Sequence, residues 1–389
     1  MISIEDVPRC CSKTRHQRIG SLYLNIFCVA IERMSPLIPP NDAVLPPGSL
    51  ILVTGITGYI GAHVGNQLLQ YGYRVRGVAR DLDKAQPLTA HFHNKYGKSA
   101  YETYLCADQT IPGSLDAGLQ DVKGIIHVAS VVSLRGTYET VVPQSLAFAE
   151  NAIASAYACP SVKRFVFTSS AAATLHPVPP NEAIHITTST WNDDGVAIAQ
   201  DESIPNSDPR KPLAVYAASK VLSERAVWNY AKSHARERPD MVVNTVLPEC
   251  NIGPPVINEG GWNTSLKSFV MEFHSASGAW SYPRHFVDVK DDARLHVAAL
   301  LHPDVRDERI FAFAEAKNAE RAVDVLSKAF PDRTFDLQGG MGEDLSVIEG
   351  KDRAEGLLKW LGRKGWIGME ECYKETGLAL LELEAKNKQ

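Results

Sequence analysis

At 389 residues, 44% of them apolar and 22% charged, the chain has ordinary globular composition and enough apolar material to bury a core. A formal net charge of −5 offers no basic field for nucleic acid or an anionic membrane, and no run reaches the roughly eighteen apolar residues of a membrane span. Seven scattered cysteines with no C-x-x-C pair argue against a zinc or disulfide framework and point to reduced thiols in a cytoplasmic protein whose partner is a small molecule.

The apolar stretch Ser21 to Ile31 follows Arg15, His16 and Arg18 but runs into Glu32 and Arg33 without a small-residue cleavage pattern, so it does not read as a secretory signal. Residues 1–33 are expected to be a poorly ordered extension or the product of an upstream start codon. Met34 opens a Pro-rich linker, and all of 1–47 is expected to be disordered. Leu50 to Val53 then suits a buried parallel strand, ended by Thr54 and Gly55. Helical spacing follows from Tyr59 to Gln70, and Tyr73 to Ala79 reads as the next strand. Gly124 to Ala129 and Arg164 to Thr168 are further buried strands, separated by an Ala-rich helix near Gln144 to Ala158; Val242 to Leu247 is another. Strands alternating with helices predict a doubly wound α/β fold with a parallel sheet and right-handed crossovers. Residues 171–213, with six prolines, break the rhythm as a long connection. Beyond Asn251 the pattern loosens into Phe286 to Leu301, a strand-like Arg309 to Ala314 and a helix-like Ala319 to Phe330. The expected organisation is a Rossmann domain over 48–250 and a smaller C-terminal substrate-binding region over 251–389, interleaved with the last sheet elements.

The strongest local signal is Thr54-Gly55-Ile56-Thr57-Gly58-Tyr59-Ile60-Gly61 between a strand and a helix. Gly55 permits the exit from the strand, Gly58 lets a pyrophosphate approach the backbone, and Gly61 lets the helix pack on the sheet. The helix N-terminus supplies N–H groups for phosphates, which makes Gly55, Thr57, Gly58, Tyr59, Ile60 and Gly61 candidate cofactor contacts. At the end of the second strand, Arg80 and Lys84 offer cations for the 2′-phosphate of NADP; Asp81, one residue later, would instead favour the ribose of NAD. The balance favours NADPH.

Tyr216 and Lys220 lie at i and i+4 of a helical stretch, so they share a face. A lysine ammonium there is expected to favour the phenolate and draw the tyrosine toward proton transfer at neutral pH. Thr168-Ser169-Ser170 closes a strand whose carboxyl end faces the ligand crevice, where a serine hydroxyl can bond a substrate oxygen. His127 reads as structural, and His285 and His296 lack metal-ligand spacing. Asp288, Asp291, Asp292 and Arg294 read as a helix N-terminus with local ion pairs. No G-x-S-x-G elbow is present, which disfavours a serine hydrolase.

Together these constellations resemble the extended short-chain dehydrogenase/reductase superfamily, and within it the fungal aldehyde/ketone reductases related to dihydroflavonol reductases. The likeness spans Gly48 to Phe330. It rests further on His127-Val128-Ala129-Ser130, the Ser170-Ala171 pair, Leu247 to Pro254 and Phe286 to His296. The resemblance implies Tyr216 as proton donor, Lys220 on the nicotinamide ribose and Ser170 orienting the carbonyl. It also implies Asp108 near the adenine, Ala129 in the cofactor crevice and Pro248 beside the nicotinamide. The 46-position gap from Ser170 to Tyr216 is long for the branch and bears on the pocket's shape. The expected activity is NADPH-dependent reduction of a small aldehyde or ketone, including a polyketide-type ketone of a specialised pathway. The rivals are an NAD-dependent epimerase or dehydratase and a non-catalytic NADPH-binding module. Substrate identity and oligomeric state are not legible in the sequence.

Overall fold

The computed structural model describes residues 37–133, 135–175, 180–258, 265–275, 283–336 and 342–387. The expectation for residues 1–33 lies outside them. Leaving the linker, the chain forms β1 (Leu50–Thr54), α1 (Tyr59–Gln70), β2 (Arg74–Ala79), α2 (Leu82–Tyr96), β3 (Tyr101–Leu105), β4 (Val122–His127), α3 (Tyr138–Ala158) and β5 (Arg164–Thr168). Next come β6 (His185–Ile186), α4 (Asp193–Gln200), α5 (Lys211–Ser233), β7 (Val242–Pro248), β8 (Cys250–Ile252) and α6 (Ser265–Phe273). The chain closes with β9 (Arg284–Asp288), α7 (Val289–Leu301), β10 (Arg309–Ala312), β11 (Glu315–Lys317), α8 (Ala319–Ala329), β12 (Val347–Ile348), α9 (Lys351–Trp360) and α10 (Met369–Lys386).

Seven strands form one parallel sheet in the order β10-β7-β5-β4-β1-β2-β3. Winding runs outward from β1 to β3, then restarts at β4 on the other side of β1. That reversal opens a crevice beyond the carboxyl ends of β1 and β4. One face of the sheet, through Leu52, Ile125, Phe165 and Val243, packs on Ala149, Ala152, Ile153 and Ala156 of α3 and Val227 of α5. The central strands β1 and β5 are buried at every position, as parallel strands covered on both faces require.

The chain leaves this sheet at Pro248 and enters a smaller three-stranded sheet, β11-β9-β8, within two residues. Phe269 and Phe273 of α6, Phe286 of β9, Leu326 of α8 and Tyr373 of α10 build its separate core. Helix α7 and strand β10 then return to the large sheet, so a cut at residue 250 marks only the first departure.

Some elements differ from expectation. Residues 38–47 are not disordered: Leu45 is buried, its carbonyl accepts from the Tyr73 hydroxyl at 2.8 Å, and Val44 N–H donates to Leu301. The long connection holds α4 and β6, the latter pairing in parallel with β12. Pro212 opens α5 instead of ending the Pro-rich stretch, because a first-turn N–H has no helical partner to lose.

Candidate active site

The site is built where β1 and β4 diverge. Thr54 Oγ1 accepts the Val128 and Ala129 N–H groups at 3.0 and 3.1 Å, so its single proton goes to His127 Nδ1 at 3.0 Å. His127 is therefore the neutral Nε2–H tautomer, stacked beside Phe165 and Phe167. Burial, with Lys220 nearby, lowers its pKa to about 3. It is structural and holds the two lips of the crevice together.

Gly55 exits the strand at φ +66°, and a Cβ there would sit 2.9 Å from Ala129 N. A Cβ on Gly61 would lie 2.1 Å from the Gly55 carbonyl oxygen. Turn and helix thus close on each other through bare backbone at both positions. Gly58 is exposed at the N-cap of α1, and no side chain caps that end. The first-turn N–H groups remain for an incoming anion. Thr57 is exposed beside it and Ile60 packs toward Leu266 and Val289. The side chain of Tyr59 turns away from the turn: it is buried and its hydroxyl donates to Gly253 O at 2.7 Å. Of Tyr59 and Ile60, only the backbone is left to face a phosphate.

At the end of β2, Arg80 is exposed and makes no ion pair or hydrogen bond among the described residues. Asp81 is the N-cap of α2, its Oδ1 accepting from the Asp83 and Lys84 N–H groups at 3.0 and 3.2 Å. Lys84 lines a small recess with Thr57, Gly58 and Ala62, its exposed ammonium 3.8 Å from Asp81 Oδ2. Asp108 lies beyond β3, two strands from the glycine turn; it is exposed, and the Thr110 hydroxyl and N–H hold its carboxyl below the usual range. Pro248 ends β7, buried and paired with Ala312 of β10.

The structure brings Ser170 and Tyr216 into hydrogen-bond contact and places Lys220 one helical turn further along α5. Ser170 follows β5, buried, its Oγ accepting from Ala172 N–H at 3.2 Å. The Tyr216 hydroxyl donates to Ser170 Oγ at 3.3 Å, and Lys220 Nζ, one helical turn on, donates to Thr168 O at 3.2 Å. One expectation is corrected. Lys220 does not draw the Tyr216 pKa down; burial raises it, and the opposing pull comes from the Ser170 hydrogen bond, with Glu249 raising and Arg284 lowering it further. Lys220 itself is brought down to about 8 by burial, with Glu224 pulling it back up.

The residues fit a dinucleotide: an open backbone turn after β1, an exposed cation after β2, and two hydroxyls with a buried amine at the end of β5 all lie at the carboxyl ends of the strands. Sequence reasoning missed Glu224, which is fully buried four residues beyond Lys220 and accepts from Ser169, next to Ser170. A lone glutamate on the inward face of an apolar helix was the available signal. Asp288 caps α7 and Asp291 pairs with Arg294 at 2.6 Å, as expected of that cluster.

The model of the NAD dependent epimerase/dehydratase family matches residues 51–313. The chain belongs to that family. It is 36% identical over 342 residues to aldehyde reductase 2 of Sporidiobolus salmonicolor, covering 86% of this chain and 97% of the relative. It is 31% identical to ketoreductase adrE of Penicillium rubens, covering 87% of this chain and 98% of that protein. Among solved structures, Gre2 of Candida albicans in complex with NADPH superposes with a TM-score of 0.72 at 22% identity, over 87% of this chain and 99% of that one. The doubly wound fold and the resemblance to extended short-chain dehydrogenase/reductases both stand.

Proposed function

We propose that the protein is an NADPH-dependent reductase of a small aldehyde or ketone, including ketones of specialised metabolism, acting in the cytoplasm. One observation carries this reading: the Tyr216 hydroxyl, the Ser170 hydroxyl and the buried Lys220 amine converge at the strand ends beside the glycine turn. The resemblance to an aldehyde reductase and a ketoreductase supports the reaction class. Among the described residues, no helix is long and apolar enough to cross a membrane, and Cys106, Cys159, Cys250 and Cys372 are unbridged.

The glycine turn, with the first-turn N–H groups of Tyr59 to Gly61, holds the pyrophosphate beside Thr57 and Gly58, Arg80 and Lys84 the 2′-phosphate, and Asp108 the adenosine end. Ala129, Lys220 and Pro248 flank the nicotinamide half. Bound there, NADPH supplies the hydride. Ser170 and Tyr216 point hydroxyls at the substrate oxygen and polarise the carbonyl. Because burial keeps Tyr216 protonated at neutral pH, the resting site is primed to give a proton to the nascent alkoxide. Lys220, mostly cationic at neutral pH, donates to the nicotinamide ribose. Residues 251–389 supply the substrate-facing walls.

The family's description also admits an epimerase that keeps NAD through its cycle. Purified protein should carry no bound NAD and should consume NADPH with members of a carbonyl panel, followed by loss of nicotinamide absorbance. Retained NAD without NADPH turnover across the panel would overturn the reductase reading.

A further inference from the structure

Glu224 lies on α5 four residues after Lys220 and eight after Tyr216, so the three side chains follow one another along the inward face of the helix. Its carboxylate is 0% exposed and receives donors from four directions. Ser169 Oγ donates at 2.7 Å, Thr245 Oγ1 at 2.9 Å, Arg309 Nε at 2.8 Å and Trp228 Nε1 at 3.2 Å, and Arg309 Nη2 adds a second contact at 3.2 Å. Every partner is a donor, so the group is an acceptor-only, ionised carboxylate. Arg309 is fixed in turn, stacked 3.9 Å from the Trp191 ring centroid and donating to the Thr188 and Thr190 carbonyls at 2.8 Å.

The charges around the amine are few. Lys220 has Glu224 one helical turn away on its own helix, the neutral His127 of β4 nearby and the Thr168 carbonyl of β5 at 3.2 Å. Glu224 faces Ser169 after β5, Thr245 of β7 and the Arg309 guanidinium of β10. Tyr216 faces Ser170 and the Glu249–Arg284 ion pair, whose opposite effects partly cancel.

We propose that Glu224 is a positioning residue of the active site: its buried anion, one helical turn from Lys220, offsets the cost of burying that amine as a cation and, through Ser169, fixes the strand end that presents Ser170. Arg309 competes for the same carboxylate and so sets how much of its charge Lys220 feels. The catalytic consequence rests on the reductase reading, whereas the coupling between Glu224, Arg309 and Lys220 does not.

The test is direct titration of the Lys220 amine in the full chain by NMR of carbon-13-labelled lysine, with Lys220→Arg assigning the signal. Glu224→Gln should lower the Lys220 midpoint by about one pH unit, and Arg309→Gln should raise it by roughly half a unit. Glu224→Asp, which retains the charge, should restore most of the wild-type midpoint. In turnover, the alkaline limb of kcat/KM against pH at saturating NADPH should move in the same directions. A merely structural role predicts lower melting temperatures for both variants with no opposed shifts. An unmoved Lys220 midpoint in folded Glu224→Gln, or shifts of the same sign in both variants, overturns the proposal. Should Glu224→Gln not fold, the absence of an upward shift in Arg309→Gln overturns it alone. Opposed shifts without reduction of any carbonyl would uphold the coupling and remove the reductase reading.

Discussion

Acidification from pH 7 to pH 5 should destabilise the fold through two histidines buried without a carboxylate partner. His127 gains its hydrogen bond only as a neutral acceptor, and His63 on α1 donates through Nε2 to the Pro254 carbonyl at 3.1 Å while its Nδ1 has no partner. Burial holds both near pKa 3, against 6.5 in the unfolded chain. Between those values the unfolded chain binds the extra proton, so stability rises with pH and is lost as pH falls below 6.5. At pH 5 each histidine has cost about 2 kcal/mol relative to pH 7. Asp288 works the other way: burial raises its pKa to about 6, so the native chain takes up a proton the unfolded chain does not, returning about 1 kcal/mol. Carboxylates held low, such as Asp208 and Asp240, lose their contribution only below about pH 4, outside the window. The net loss is about 3 kcal/mol, a large part of a typical 5–15 kcal/mol of stability. Urea unfolding followed by tryptophan fluorescence at the two pH values measures it, and His127→Gln should remove about 2 kcal/mol of the pH dependence. Equal stability at both pH values, or an undiminished pH dependence in His127→Gln, would refute the argument.

Tyr216→Phe should lower kcat by several orders of magnitude while NADPH binding, read by fluorescence titration, stays near wild type, since only the proton donor is lost. Arg80→Ala should reduce kcat/KM for NADPH by roughly ten- to a hundredfold and leave NADH use unchanged, a charge-assisted hydrogen bond contributing about 1.5–3 kcal/mol. Asp81→Ala should lower the unfolding free energy by about 1 kcal/mol through loss of the α2 cap without crippling NADH use. Lys317→Met should destabilise the smaller core by about 3–5 kcal/mol in denaturant unfolding, because it removes the cation that meets the buried Glu272 at 2.7 Å and leaves that carboxylate only the Tyr373 hydroxyl.

The parts of the site legible in the sequence are those whose demands are local. A strand exit at positive φ and a helix that touches the preceding loop require glycine at Gly55 and Gly61, and the Tyr216–Lys220 spacing needs only one helical turn. What escaped depends on partners far along the chain or on surfaces with weak patterning. β3 is an edge strand with Leu105 half exposed, so its sequence lacks a continuous apolar run. α2 carries Pro87 within it and α10 alternates charge with small buried patches, which masks their periodicity. The role of Glu224 is set by residues 169, 245 and 309, brought together only when β5, β7 and β10 pair. The direction of the Tyr216 shift was misjudged for a related reason. Spacing places Lys220 nearby but does not reveal that its amine is turned to the Thr168 carbonyl, nor how completely the phenol is surrounded.

The family's description names NAD-dependent epimerases and dehydratases, whereas its relatives here include an aldehyde reductase and a ketoreductase, so how the adenosine half is held bears on which cofactor this chain takes. In this chain Asp81, the acidic side chain nearest the end of β2, is already committed. Asp81 accepts two N–H groups that would otherwise be unsatisfied at the start of α2, and Lys84 lies within 3.8 Å of its second oxygen. Engaging ribose hydroxyls would compete with that cap, weakening the contact that favours NAD. Arg80, one residue earlier, has no such commitment and can meet a 2′-phosphate without losing an existing bond. On the proposed reading, that difference in commitment is why the charge pattern at the end of β2 favours NADPH over NAD.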